Sequence, residues 1–167
     1  MARKNLTVTL YVSELIYDFQ NKAYLTGRSR RAEGKDAEAA SNMQASDDDE
    51  DKNQALRSIQ TAYSQLLVEL SEGVLNGSGT TANNELMNES TNITISLSLP
   101  SNYSLGLKDA LTSSMHDYII NKALMDWFVL TNPEEVKTYS ELASIALKNL
   151  HETFNRRERP NRNVPTD

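Results

Sequence analysis

Helical periodicity of apolar residues constrains the fold of this chain more than any other feature of its sequence. Apolar residues spaced three and four positions apart form one face of an amphipathic helix. The clearest such stretch consists of Leu56, Ile59, Tyr63, Leu66, Leu67, Leu70 and Val74. A longer stretch runs from about Leu107 to Leu130. Its wide apolar face predicts the central helix of the core.

Two further helices follow from capping signals. Asn132 is a favourable N-cap, Pro133 suits the first helical position, and Glu135 places negative charge in the first turn. The apolar stripe that follows predicts a helix ending near residue 154. Near the start of the chain, Ser13 is a plausible N-cap for a helix to about residue 25, and Gly27 is a natural stop.

Two segments alternate apolar and polar residues, which indicates half-buried strands. They cover residues 6–10 and residues 93–99, and Pro100 ends the second. The sequence therefore predicts a mainly α fold with a four-helix core, a small two-stranded β element and long polar loops. The two strands are expected to pair with each other or with strands of a neighbouring subunit, because an isolated two-stranded ribbon is only marginally stable.

Large apolar side chains are nearly absent from residues 27–51, where Met43 is the exception. Such a stretch buries too little surface to offset the entropy of ordering it, so a flexible loop is predicted there. Residues 156–167 are predicted to form a flexible basic tail. The remaining residues up to 155, including the loop, are predicted to form a single helical domain.

Charge is unevenly distributed along the chain, whose net charge is −6. That total argues against a general nucleic-acid binder, which needs a basic face. A basic patch consists of Arg28, Arg30, Arg31 and Lys35, and a basic tail contains Arg156, Arg157, Arg159 and Arg162. An acidic run, residues 47–51, lies between them. The basic patch could hold phosphates or an acidic protein surface, or could simply be cations favoured at a helix C-terminus. The candidate interaction residues are Arg28, Arg30, Arg31, Asp47, Asp48, Asp49, Glu50, Asp51, Arg156, Arg157 and Arg159.

No sequence motif points to catalysis or to a bound metal or cofactor. His116 and His151 are the two histidines and lie on different predicted helices, without a second ligand at metal-binding spacing. Gly77-Ser78-Gly79 lacks the lysine and the preceding strand of a phosphate-binding loop. We therefore expect no enzymatic activity, no metal and no cofactor. A metal-dependent phosphohydrolase stays as a minor alternative, and its residues would be Glu69, Glu72, His116 and Asp117.

The chain contains no cysteine, which excludes disulfides, thiolate metal sites and cysteine nucleophiles. No apolar run approaches the roughly 18 residues that a membrane-spanning helix needs, and the start of the chain does not resemble a signal peptide. We therefore expect neither export by that route nor insertion in a membrane.

Aromatic and charged residues recur in a pattern between residues 115 and 160. The segments are Met115-His116-Asp117-Tyr118-Ile119-Ile120, Asp126-Trp127-Phe128, Asn132-Pro133-Glu134, Tyr139 and Arg156-Arg157-Glu158-Arg159-Pro160. This pattern resembles the C-terminal half of small virion proteins in tailed phages and prophages, especially phages of Bacteroides-type bacteria. Residues 24–30 give the resemblance weaker support.

The resemblance implies a structural subunit of the head–tail region, which is a connector, neck or tail-completion protein. Such a protein would be made in the bacterial host cytoplasm and act in the virion as a ring of identical subunits. Its neighbours would be portal, connector or tail proteins, with incidental contact to packaged DNA and none to a membrane. The alternative function is a cytoplasmic nucleic-acid-binding adaptor or regulator that uses the basic patch and the basic tail.

Overall fold

The computed structural model describes residues 3–34, 36–78 and 85–159. Over these residues the chain forms five α-helices and a three-stranded antiparallel sheet, which confirms the mainly α class with a small β element. The elements in chain order are β1 (Lys4–Tyr11), α1 (Val12–Ala32), α2 (Ala37–Asn42), α3 (Asp49–Glu69), β2 (Val74–Ser78), β3 (Asn92–Leu99), a 3₁₀ turn (Leu105–Leu107), α4 (Lys108–Thr131) and α5 (Pro133–Phe154).

Helix α4 lies at the centre of the molecule, as its wide apolar face predicts. It packs against α5, α3, α1 and β1, and its buried side chains extend around most of its circumference. Trp127 meets Phe19 of α1 edge to face, with ring centroids 5.8 Å apart. Phe128 stacks on Tyr139 of α5 at 4.9 Å. These aromatic residues belong to one hydrophobic core that also contains the buried residues of the sheet.

The sheet covers one side of this core in the strand order β1-β3-β2. Leu6 lies opposite Leu97 and Val8 opposite Ile95 in the register of β1 and β3, so the alternating apolar residues of both strands share the buried face. Both predicted strands are therefore present and pair with each other, within one chain.

The third strand was not predicted. From the sequence, Val74 was expected on the apolar stripe of a helix, and no strand was expected before Gly77-Ser78-Gly79. Instead, α3 ends at Glu69 and residues 74–78 form β2. The Ser98 N–H donates to the Gly73 carbonyl at 2.7 Å, beside the pairing of β2 with β3. The free edge of β3 supplies hydrogen-bond partners that a further helical turn would not use.

Two predictions for residues 27–51 are wrong. The first helix does not stop at Gly27 but continues to Ala32, and the predicted loop contains both α2 and the start of α3. The cause at Gly27 is close packing, because a Cβ there would lie 2.6 Å from the Ala40 carbonyl oxygen and 2.8 Å from Gln44 Cγ. Met43 is buried, and its carbonyl accepts a 2.9 Å hydrogen bond from Trp127 Nε1.

The predicted basic tail also begins differently. Residues 156–159 lie against the domain, where the Glu158 N–H donates to the Asn102 carbonyl at 2.7 Å. Lys4 Nζ lies 3.2 Å from Glu158 Oε1, and Arg157 forms an isolated β-bridge with Tyr103. These contacts tie the start of the tail to the turn after β3. The rest of the predicted tail, residues 160–167, lies outside the described residues.

Candidate interaction surfaces

The three arginines predicted to form one basic patch on α1 have different environments. Arg30 lies against α5, where its Nη2 donates to Glu135 Oε2 at 3.1 Å and its Nε donates to the other carboxylate oxygen. Its Nη1 donates to Glu33 at 2.7 Å. Hydrogen bonding to Glu135 and Glu33 raises the pKa of Arg30. Because Glu135 is buried, Arg30 serves packing between helices and is not available to a ligand.

Arg28 and Arg31 face a surface pocket of about 490 Å³, which they line with Tyr24, Ala32 and Gln44. Neither guanidinium has an ion-pair partner within the part of the chain that the structure describes. Gly27 allows the α2 segment to approach α1 and so brings Gln44 to this pocket. Two unpaired guanidiniums beside a phenol and an amide suit an anionic group such as a carboxylate or a phosphate. Lys35, predicted as a fourth member, lies outside the described residues.

The acidic run forms the N-terminus of α3, where negative charge is favoured by the helix dipole. Asp48 and Asp51 accept hydrogen bonds of 2.9 Å and 2.7 Å from the Ser46 hydroxyl, and Asp51 also accepts from the Ser46 N–H at 2.8 Å. Lys52 lies 3.7 Å from Asp47 and 2.6 Å from Glu89, and the Glu89 hydrogen bond raises the pKa of Lys52.

Two members of the acidic run differ from the others. Asp49 and Glu50 are exposed, and their side chains have no hydrogen bond or ion pair among the residues in the described ranges. Asp49 and Glu50 on α3, and Arg28 and Arg31 on α1, thus leave opposite charges uncompensated on the surface.

The basic residues after α5 are not grouped with the α1 pocket. Arg157 donates to the carbonyls of Phe154 and Arg156 at 3.1 Å and 3.2 Å, which directs its charge back onto the end of α5. Arg156 and Arg159 are exposed. Arg162, which the sequence analysis counted with them, falls outside the described residues.

The residues of the predicted phosphohydrolase alternative have different partners. His116 Nε2 lies 2.8 Å from Asp18 Oδ2 of α1, whereas Glu69 pairs with His151 of α5 at 3.4 Å. Asp117 and Glu72 are exposed. Within residues 3–34, 36–78 and 85–159, no group of three or more histidine or carboxylate side chains could hold a metal ion. The geometry therefore gives this alternative no support.

An exposed apolar surface that the sequence analysis missed lies where α1 and α5 meet. Leu25 and Leu142 line one groove between these helices, and Ile145 follows one turn further along α5 with 56% of its surface exposed. The sequence does indicate apolar residues on the exposed side of α5, because Leu142 and Ile145 fall outside the apolar stripe that predicts this helix. Contiguous exposed apolar side chains are characteristic of interaction surfaces.

The described residues thus belong to the mainly α class with a small antiparallel sheet. Comparison of the chain with protein-family models, curated proteins and solved structures finds no match. None of the described helices is both long and apolar enough to cross a membrane.

Proposed function

We propose that this chain is a non-enzymatic virion structural protein that forms a ring of identical subunits in the head–tail region of a tailed phage. It acts there as a connector, neck or tail-completion subunit beside portal or tail proteins. One observation carries the assembly part of the proposal: exposed charges of opposite sign, Arg28 and Arg31 on α1 and Asp49 and Glu50 on α3, remain unpaired within the described chain. The placement in a virion rests on the sequence resemblance of residues 115–160.

The charges support contact between subunits for a physical reason. Some neighbouring charged groups have partners within the chain, since Arg30 pairs with Glu135 and Asp51 accepts a hydrogen bond from the Ser46 hydroxyl. The remaining two pairs lie outside ion-pair distance of each other in one chain, so each is free to meet its counterpart on a neighbour. A contact between two different patches is heterologous, and such contacts close into rings when the rotation between subunits allows it.

A reciprocal charge exchange tests this contact. We expect the wild-type protein to show a ring-sized mass by light scattering after size exclusion at low salt, and to dissociate as salt screens the charges. The R28E/R31E and D49K/E50K variants should each lose the ring-sized species. The combined fourfold variant should recover the ring, because it exchanges both sides of the contact. Arg57→Glu is the control, since Arg57 is another exposed arginine, on α3.

Two results would count against the ring. A wild-type protein that forms no ring-sized species at any salt or protein concentration contradicts the charge-paired contact. Salt-dependent DNA binding that is lost in R28E/R31E would favour the adaptor or regulator instead. A specific observation supports that second candidate, because Tyr24 borders the pocket of Arg28 and Arg31 and could stack on a base beside a bound phosphate.

A further inference from the structure

The outer face of α5 is exposed along its length. Its inner face packs on α4, while Glu135 and Tyr139 hold the first turns against α1, and His151 pairs with Glu69 at the end of α3. The exposed residues of the outer face are Lys137, Thr138, Glu141, Leu142, Ile145, Lys148, Asn149 and Glu152. At its middle, Leu142 and Ile145 are 41% and 56% exposed. The charged residues stand on either side of this apolar centre.

The order of charges on this face is complementary to its own reverse. Along α5 the exposed charges run negative at Glu134, positive at Lys137, negative at Glu141, positive at Lys148 and negative at Glu152. A second α5 can run antiparallel, with the midpoint between residues 144 and 145. This register sets Lys137 against Glu152 and Glu141 against Lys148, and it sets Glu134 against the neutral Asn155. A parallel arrangement would set each charge against its own copy. Lys148 and Glu152 lie 3.9 Å apart within one helix but are largely exposed, so this internal pair competes only weakly.

We propose that two copies of this chain pair through α5, antiparallel about a two-fold axis near Ile145. The pairing covers Ile145 and Leu142 of both copies. Four ion pairs surround them, two between Lys137 and Glu152 and two between Glu141 and Lys148. A two-fold contact uses the same surface on both partners, so a face that complements its own reverse is what it requires. The charge pattern therefore favours a second copy over an unrelated protein as the partner.

This pairing is separate from the ring contact of the proposed function. It involves α5, whereas the ring contact involves charges on α1 and α3. A two-fold contact turns its partners to face opposite directions, so it cannot repeat around a ring with a polar axis. We assign the α5 pair to protein that has not assembled into the ring.

Cross-linking at a single position tests the two-fold axis directly. The chain has no cysteine, so Ile145→Cys introduces the one thiol that can form a disulfide. Under mild oxidation we expect a covalent dimer on a non-reducing gel, because a residue near a two-fold axis lies close to its own copy. Val68→Cys is the matched control, since Val68 is an apolar residue of α3 that is 72% exposed. Equal cross-linking of the two variants, or none at position 145, would overturn the proposal.

Charge exchange tests the antiparallel register with no change to the apolar centre. Glu141→Lys and Lys148→Glu should each weaken the dimer about tenfold in sedimentation equilibrium, because each places like charges opposite each other twice. The E141K/K148E double variant should return to wild-type affinity. All four charges lie on an exposed helix face, so the circular dichroism of each variant should match the wild type. A double variant as weak as the single variants would rule out this register, and a monomeric wild type would rule out the pair.

Discussion

Glu135 is a carboxylate with 3% of its surface exposed, and among the residues that the structure describes no other charged side chain is as buried. Two nitrogens of Arg30 donate to its two oxygens. One turn further along α5, the Tyr139 hydroxyl hydrogen-bonds Thr26 of α1 at 2.8 Å. Burial is the main cause that raises the pKa of Tyr139. The start of α5 is therefore held to α1 by polar contacts that an isolated substitution would leave unsatisfied.

Replacing Arg30 should destabilise the protein much more than replacing Arg28, two residues earlier on the same helix. Arg30→Ala leaves the buried Glu135 carboxylate without its partner, which we expect to cost about 3 kcal/mol. Arg28→Ala removes a charge from a surface pocket and should change stability by less than about 0.5 kcal/mol. Urea unfolding of both variants measures the difference. Equal losses of stability in the two variants would mean that the ion pair between Arg30 and the buried Glu135 contributes no more than the exposed charge of Arg28.

At this scale the sequence identifies charged residues but not their partners. Arg28, Arg30 and Arg31 look equivalent in the sequence, since all three follow Gly27 within four positions. Their difference arises because α5 approaches one side of α1 and places Glu135 opposite Arg30 alone. A contact between residues separated by more than a hundred positions leaves no local signal. The part of the candidate site that could be predicted is its composition, and the part that could not is which side chains remain free.

At the scale of elements, the packing of α1 against α2 depends on a glycine inside a helix. Gly27 is buried in α1, and the Ala40 carbonyl occupies the space where a side chain would stand. The short α2 adds few apolar contacts of its own, with Ala40 as its one buried residue. Met43 and its hydrogen bond from Trp127 hold the segment that follows α2. The close approach at Gly27 is therefore needed for the wall of the Arg28–Arg31 pocket.

Alanine at Gly27 should destabilise the protein although alanine is the better helix former. The added Cβ would overlap a backbone carbonyl, and overpacking of this kind costs about 1–3 kcal/mol, more than the ~1 kcal/mol gained in helix propensity. Gly106→Ala is the control, because the nearest atom to its Cβ would be 4.0 Å away. Thermal unfolding of the two variants should show a loss only at Gly27. A stabilised Gly27→Ala protein would mean that α2 shifts away at little cost.

Elements with a strong repeating pattern were the predictable part of the fold. Helices α3, α4 and α5 each carry several turns of apolar spacing, and β1 and β3 carry clean alternation, so local sequence suffices for them. Helix α2 has six residues, too few for the period to register. Strand β2 forms because the edge of β3 supplies backbone hydrogen-bond partners. Its own sequence gives little signal, since β2 contains one partly buried apolar residue, Val74. Both missed elements depend on tertiary contacts, which periodicity does not report.

At the scale of the whole molecule, distant parts of the chain meet beside the sheet. Lys4 at the start of β1 donates to the Tyr103 carbonyl at 2.8 Å and to Glu158 at 3.2 Å. The backbone of Glu158 also hydrogen-bonds Asn102, next to the bridge between Tyr103 and Arg157. The first strand, the turn after β3 and the segment after α5 therefore support one another. This corner closes the domain on the side of the sheet where β1 is the edge strand.

Removing the residues after Asn155 should loosen this corner without unfolding the domain. The truncated protein loses the backbone contacts to residues 102 and 103, which we expect to cost about 1–2 kcal/mol. Glu158→Ala removes only the exposed ion pair with Lys4 and should cost less than about 0.5 kcal/mol. Urea unfolding of both proteins separates the two contributions. A larger loss of stability on truncation would show that backbone contacts hold the corner, because only truncation removes the hydrogen bond to Asn102. Equal losses in the two proteins would show that the side chain of Glu158 holds it instead.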